Sequence, residues 1–271
     1  SGVLVIPKSM FGFEQVDLGE NACITSVIED YERKCLWIGT DGKGLYKVDN
    51  DGNIRNFSAG NTVLDNNSIM SLTLDNRGSL WVATYLGGLY SYTESKGFSR
   101  FKEQRALRTE KIYCLSYSAE EDLLYIGTHG NGFFMVDPAG EKILKSWNDD
   151  ENKWISSLYQ DSAGLLWVGT YNGPLAYDSK TDKLISYSLD EKKSIRVNAF
   201  YESRDGNIWI GTGEGLICME RSSRNNTLYT EEDGLACNSV TDILEDNNGN
   251  LWISTLNGLS QLNVQTKKFK N

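Results

Sequence analysis

Short apolar stretches, each closed by a polar turn, follow one another along almost the whole chain. They are rich in β-branched and aromatic residues, and turn signals separate them roughly every 8–12 residues, which is typical of an all-β protein. Four stretches make one unit, and the unit then begins again. The first stretch of each unit predicts a buried strand, at 24–30, 69–75, 112–118, 155–161, 197–203 and 240–246.

The second stretch of each unit repeats one phrase, LWIGT in its first copy and IWIGT in its fifth. Its aromatic residue recurs every 42 to 44 residues, at Trp37, Trp81, Tyr125, Trp167, Trp209 and Trp252. Four strands repeating at about 40–45 residues are the signature of a β-propeller blade. The sequence therefore predicts a single all-β domain over 1–271, a β-propeller of four-stranded antiparallel blades. Its six full repeats lie near 24–66, 67–110, 111–153, 154–195, 196–238 and 239–271.

Residues 1–23 precede the first repeat and contain two further strand-like stretches, GVLVIP (2–7) and FEQVDL (13–18). They can be the outer strands of a partial seventh blade, or the domain can close with six blades. A propeller left open exposes sheet edges, which favours a fragment, a homodimer or a swapped strand.

Packing between blades explains the repeated phrase. The Trp supplies a large apolar surface, and the Gly two residues later lets a neighbouring group approach closely. Ahead of the Trp strand stands the pattern D-x-x-G, at Asp75, Asp161 and Asp246, which suits a type I turn with Gly in the left-handed region. These turns lack the full ligand series of a calcium-binding loop.

The composite unit I-x-x-I-x-x-D-x-x-G-x-L-W-I-G-T-x-x-G-L-Y resembles the two-component regulator propeller repeat, from residue 24 to residue 269. Tyr125, Ala83, Ser254 and Pro174 depart from it. The resemblance implies a ligand-sensing propeller from the extracytoplasmic, periplasmic region of a hybrid two-component histidine kinase. It implies an oligosaccharide as ligand and neighbouring sensor domains of a parent chain as partners.

One loop position differs from unit to unit, whereas the strand residues around it repeat. It follows the Thr of each Trp strand, so it recurs at the mouth of each blade, where recognition residues are expected. Aromatic and hydrogen-bonding side chains mixed in this way suit a sugar, although exposed loop residues without a function give the same pattern. The candidate ligand-binding residues are Asp41, Tyr85, His129 and Tyr171, with Trp154, Arg196 and Asn198 from blade-to-blade connections.

Charge and composition limit the classes of molecule that this chain is expected to bind. The net charge of −10 argues against nucleic acid and against anionic membrane surfaces. No apolar run is long enough to span a bilayer, and no signal peptide is visible at the start. The five Cys contain no CxxC pair and are interpreted as small buried apolar residues.

The sequence gives little support for a catalytic site or a cofactor-binding site. His129 is the single His, so a His-rich metal site is excluded. GTGEGL (211–216) has no helix behind it, so it is not a phosphate loop. We therefore expect no catalytic residue, metal or cofactor, and this fragment is not predicted to be an enzyme. The alternatives are a protein-binding scaffold and, less favoured, a propeller lyase or glycosidase.

Overall fold

The computed structural model describes residues 3–5, 14–19, 22–107, 110–189, 195–221 and 225–271. The predicted all-β class is confirmed: the chain forms six four-stranded antiparallel blades of a β-propeller. Before them, β1 (Val3–Val5) pairs antiparallel with β2 (Glu14–Val16). The two N-terminal stretches expected from the sequence are thus paired strands, while residues 6–13 between them lie outside the described part.

The first three blades follow in chain order, with one short helix, α1 (Gln104–Leu107), between the second and the third. Blade 1 comprises β3 (Cys23–Asp30), β4 (Cys35–Asp41), β5 (Gly44–Asp49) and β6 (Ile54–Phe57). Blade 2 comprises β7 (Ile69–Leu74), β8 (Leu80–Thr84), β9 (Gly88–Thr93) and β10 (Gly97–Arg100). Blade 3 comprises β11 (Ile112–Ser118), β12 (Leu123–Thr128), β13 (Phe133–Asp137) and β14 (Lys142–Trp147).

The last three blades have the same strand order, and a 3-10 turn (Glu231–Asp233) separates the fifth from the sixth. Blade 4 comprises β15 (Ile155–Gln160), β16 (Leu166–Thr170), β17 (Gly173–Asp178) and β18 (Lys183–Ser186). Blade 5 comprises β19 (Val197–Glu202), β20 (Ile208–Thr212), β21 (Leu216–Met219) and β22 (Asn226–Tyr229). Blade 6 comprises β23 (Val240–Glu245), β24 (Asn250–Thr255), β25 (Gly258–Asn263) and β26 (Lys268–Lys270).

The chain divides into two compact units. The first unit is Ser1–Ile126 with Phe134–Lys145, and its apolar clusters join blade 1 to blade 2 and blade 2 to blade 3. The second unit is Gly127–Phe133 with Ser146–Asn271, and its clusters join blade 4 to blade 5 and blade 5 to blade 6. Within each unit the core lies between adjacent blades.

The Trp of the repeated phrase packs against the next blade, as expected. Trp209 of blade 5, for example, is fully buried in a cluster with Val240, Ile243 and Leu251 of blade 6. The Gly of the phrase makes this contact possible, because a Cβ on Gly211 would lie 2.7 Å from Val240 Cγ1. Blade-to-blade packing therefore accounts for both residues.

The Asp of the D-x-x-G turn has a second role that the sequence pattern did not predict: it accepts a hydrogen bond from the Trp of the next strand. In blade 4, Asp161 Oδ1 accepts the N–H groups of Ala163 and Leu165, while Oδ2 accepts the indole N–H of Trp167 at 2.9 Å. One carboxylate thus closes the turn and satisfies the buried Trp. The same indole bond recurs at Asp30–Trp37, Asp75–Trp81, Ser203–Trp209 and Asp246–Trp252.

The first strand of most blades contains a β-bulge, at its third residue in blade 1 and at its second residue in the others. The bulge turns that side chain toward the following blade. Thr25 Oγ1 donates to the carbonyl of Ile69, Ser156 Oγ to that of Val197, and Asn198 Nδ2 to that of Val240. These hydrogen bonds join neighbouring blades along their inner edge.

Blade 6 presents its Trp-bearing face differently from blade 5. Leu259 is 41% exposed, whereas its counterpart Leu216 is fully buried. Leu244 on the same face is 63% exposed, and Trp252 is only half-buried. Blade 6 therefore has the repeated sequence, but the residues on its Trp-bearing face are less buried than their counterparts in blade 5.

Acid should weaken the turn of blade 1. Burial raises the pKa of Asp30, but hydrogen bonds from Arg33 and Trp37 outweigh burial and leave that pKa below its ordinary value. A lowered folded-state pKa stabilises the fold above the unfolded pKa, and this stability is lost as the pH falls through the folded value. We expect Asp30→Asn to be less stable than wild type by about 1–3 kcal/mol at neutral pH.

Urea unfolding from pH 7 to pH 3 checks this expectation. The difference between Asp30→Asn and wild type should stay constant down to about pH 4, near the unfolded pKa of Asp, and then shrink. A difference that is unchanged at pH 3 would show that the carboxylate charge does not stabilise the turn.

Candidate functional site

The turn between the second and third strands carries the variable position of each blade. The Thr that ends the second strand stabilises this turn, because its hydroxyl donates to the carbonyl of the Gly that begins the return. The bond recurs six times, at Thr40–Gly44, Thr84–Gly88, Thr128–Gly132, Thr170–Gly173, Thr212–Gly215 and Thr255–Gly258. The residue after the Thr is thus displayed on a defined turn.

In the second unit, the turn of blade 3 is bonded to the connection that enters blade 4. The N–H groups of Gly130 and Gly132 both donate to the carbonyl of Lys153, at 2.9 and 3.0 Å. His129 and Trp154 form an antiparallel bridge beside this bond. The backbone therefore places the only His next to Trp154.

The turn of blade 4 reaches the same connection through a side chain. Asn172 Nδ2 donates to the carbonyl of Glu151, which holds the preceding residue, Tyr171, close to Trp154. Within the connection, hydrogen bonds from the Asn152 side chain and the Glu151 N–H hold the pKa of Asp149 below its ordinary value. The sequence analysis did not single out Asn172 or Asp149, although a Tyr-Asn-Gly turn and an acidic loop were visible.

His129, Trp154 and Tyr171 form what we call the aromatic cluster. Their ring centroids are 5.9 Å apart for His129–Trp154, 5.6 Å for His129–Tyr171 and 6.0 Å for Trp154–Tyr171. Trp154 is 40% exposed, and the other two rings are half-buried. The cluster differs in this respect from groups such as Trp37, Phe57 and Tyr92, which are buried between blades 1 and 2.

Arg196 adds a cation to the cluster. Its guanidinium carbon lies 4.5 Å from the centroid of the Tyr171 ring, within the range of a cation–π interaction. The side chain of Arg196 is otherwise exposed, and its backbone carbonyl accepts the N–H of Gly213. Four predicted site residues, His129, Trp154, Tyr171 and Arg196, are therefore adjacent in the second unit.

Asp41 and Tyr85 lie in the first unit, where Asp41 ends β4 and Tyr85 directly follows β8. Asp41 is exposed and accepts a hydrogen bond from Ser68 Oγ at 2.6 Å. Tyr85 is half-buried, and its carbonyl accepts a bond from Asn66 Nδ2. Because these two residues belong to a different unit from the aromatic cluster, their proposed role in binding stays a separate prediction.

Asn198 has a different position from the one its sequence suggested. Its side chain donates to the carbonyl of Val240 at 2.8 Å, so it joins the inner strands of blades 5 and 6. The β-bulge that turns this side chain inward could not be read from the repeat alone.

The described residues also bear on metal binding and on membrane-spanning helices. No group of three or more His, Cys, Asp or Glu residues in that part of the chain is arranged to hold a metal ion. No helix in the same ranges is long and apolar enough to cross a membrane. No disulfide joins the cysteines of the described residues; Cys35 and Cys218 are buried, as expected, but Cys23 is exposed and Cys114 and Cys237 are half-buried.

The sequence matches the family model described as the two component regulator propeller at four segments, 63–86, 150–172, 192–214 and 234–257. Each segment covers the first two strands of a blade and the turn that follows. The matches place two-component regulator propeller repeats in blades 2, 4, 5 and 6. Trp154, Tyr171 and Arg196 lie inside matched segments.

Several solved structures resemble the chain over most of its length. The extracellular domain of BT3049 from B. thetaiotaomicron, described as a hybrid two component system, has a TM-score of 0.80 and 28% identity over 92% of this chain. The chain spans only 34% of the length of that structure. In both sequence and fold, the chain therefore resembles part of the extracellular domain of a hybrid two component system.

Two other structures show the fold alone. The extracellular domain of BT4673 from B. thetaiotaomicron, described as a one component system, has a TM-score of 0.59 and 21% identity, covering 100% of this chain and 44% of that one. Virginiamycin B lyase from Staphylococcus aureus has a TM-score of 0.75 and 11% identity, covering 92% and 83%. No curated protein matches the chain significantly.

Proposed function

We propose that this chain is an extracytoplasmic sensor propeller that binds an oligosaccharide at the aromatic cluster. The repeats and the likeness to the extracellular domain of a hybrid two component system support a sensor role. On this proposal, the parent protein would be a histidine kinase, and neighbouring sensor domains would be its partners.

The observation that supports the ligand class is the exposed aromatic cluster itself. Binding sites for small molecules are lined mainly by apolar and aromatic groups, with a few polar groups that fix orientation. The carbon faces of a sugar ring can pack on Trp154, while its hydroxyls can bond to Arg196 and to the backbone of the turns. The hydrogen-bonded connection around Lys153 and Glu151 holds these groups in place before the ligand arrives, which lowers the ordering cost of binding.

Isothermal titration calorimetry with plant and host oligosaccharides tests this function through Trp154→Ala. We expect the substitution to weaken binding about 10-fold or more, equal to about 1.4 kcal/mol, because the exposed ring offers the main packing surface. The melting temperature should change little, since the ring is partly solvated.

Tyr31→Ala is the matched control. Tyr31 is an aromatic residue that is 70% exposed and lies in a turn of blade 1 outside the cluster, so its removal should leave binding unchanged. If Trp154→Ala binds the same oligosaccharide as tightly as wild type, the aromatic cluster is not the site. If the panel contains no ligand and a protein partner is captured instead, the scaffold function replaces this one.

A further inference from the structure

Arg196 differs in what it contacts from five other arginines of this chain. Arg33, Arg77, Arg100, Arg204 and Arg221 each form an ion pair with an Asp or Glu carboxylate. Among the described residues, no carboxylate is paired with Arg196, whose guanidinium lies on the Tyr171 ring instead. Arg196 therefore has no acidic partner among the described residues, although the chain as a whole has 37 acidic and 27 basic residues.

The contact with Tyr171 leaves the hydrogen-bonding edge of Arg196 available. A guanidinium has five N–H donors in its plane, and stacking on a ring uses only the face of that plane. The donors of Arg196 can therefore still form the paired bonds that a planar carboxylate accepts. Because Tyr171 limits the motion of the guanidinium, less conformational entropy is lost when these bonds form.

Two of the three acidic side chains in the connection that leads to Trp154 are already engaged, and the third, Glu151, is exposed. Asp150 pairs with Lys153 at 2.9 Å, and Asp149 accepts bonds from Asn152 and from the N–H of Glu151. Neither of these carboxylates is the partner of Arg196. The positive charge beside the exposed Trp154 ring is therefore not neutralised by them.

We infer that the cluster takes an acidic sugar, an oligosaccharide containing a uronate residue whose carboxylate pairs with Arg196 while a sugar ring packs on Trp154. This inference rests on the proposed oligosaccharide-binding function and specifies the ligand more narrowly. The carboxylate is preferred over a neutral hydroxyl because charge-assisted paired bonds are roughly twice as strong as neutral ones.

Pairs of probes test this inference by calorimetry. Each uronate trisaccharide, in several linkages, is compared with its carboxyl-reduced neutral counterpart in 25 mM and 150 mM salt. We expect at least one uronate to bind about 10-fold more tightly than its neutral counterpart at low salt. The preference should become smaller at high salt, because added ions screen exposed charges.

Arg196→Gln should remove the preference for the acid, so that each uronate and its neutral counterpart bind with Kd values within about 2-fold of each other. Arg55→Gln is the matched control, since Arg55 is also exposed and lies over an aromatic ring, Phe57, at 4.7 Å. It should keep the full acid preference.

The outcomes separate this inference from the proposed function. If neutral sugars bind through Trp154 and no uronate is preferred, or if Arg196→Gln keeps the preference, the inference is wrong and the proposed function stands. If no probe of either kind binds, or if binding does not depend on Trp154, both are overturned.

Discussion

Trp209→Ala is expected to lower the free energy of unfolding by about 3–5 kcal/mol. The indole is fully buried between blades 5 and 6, against Val240, Ile243 and Leu251. Its removal leaves a cavity in a close-packed contact and deprives Ser203 of the indole N–H that it accepts at 2.9 Å. Urea unfolding followed by circular dichroism measures the change.

Trp252→Ala is the matched variant in the repeated phrase of blade 6. Its indole also donates to the turn residue, Asp246, but the ring is half-buried and its neighbours Leu244 and Leu259 are exposed. We expect a loss of at most about 2 kcal/mol, because little packing is removed. Equal losses at Trp209 and Trp252 would contradict the claim that contact with a following blade makes the Trp stabilising.

Gly44→Ala is the second substitution with a large expected effect. Gly44 begins β5 at φ +82°, and a Cβ there would lie 2.2 Å from the carbonyl oxygen of Phe57 in β6. The left-handed backbone costs roughly 1–2 kcal/mol for a residue with a Cβ, and forcing apart two paired strands adds roughly 1–3 kcal/mol. We expect a total loss of about 2–5 kcal/mol, read from the urea midpoint.

Gly42→Ala separates these two contributions. Gly42 has almost the same φ, +86°, but no atom lies within 4 Å of the position of its Cβ. Only the backbone cost should therefore appear, about 1–2 kcal/mol. If Gly42→Ala is as damaging as Gly44→Ala, the close approach of β6 is not what requires Gly at position 44.

The blades were predictable because each is formed by strands that follow one another directly. About 20 consecutive residues specify a strand, a turn and the next strand, and this local pattern occurs six times in the sequence. The predicted first strands therefore agree with the structure to within one residue, as at 24–30 and Cys23–Asp30. Turn chemistry was equally local, since Asp75 and Gly78 bond to each other and to the residues beside them.

Interactions across strands were harder to predict. The bond from Trp81 to Asp75 joins residues six apart, on opposite sides of a hairpin, and it depends on the register of that hairpin. A signal was nevertheless present, because an Asp or Ser stands six or seven residues before each of the five Trp in the phrase. The β-bulge at Asn198 left no comparable signal, so its contact with Val240 was missed.

The sequence predicted which loop positions belong to the candidate site, but it did not predict which of their side chains lie in contact. Aligning the repeats selected His129 and Tyr171, because both follow the Thr of a second strand. The approach of Trp154 depends on how the connection from 148 to 154 folds, and that fold rests on backbone bonds to Lys153. Connections vary in sequence from blade to blade, so the repeat carries no information about them.

A thermal-shift measurement of this chain against a panel of neutral and acidic oligosaccharides tests the central claim most directly. A ligand at 100 times its Kd should add about 2.7 kcal/mol of stability and raise the melting temperature. If the aromatic cluster binds an oligosaccharide, we expect such a rise for at least one oligosaccharide and the loss of that rise in Trp154→Ala. An unchanged melting temperature across the panel, or a rise that persists without Trp154, would contradict it.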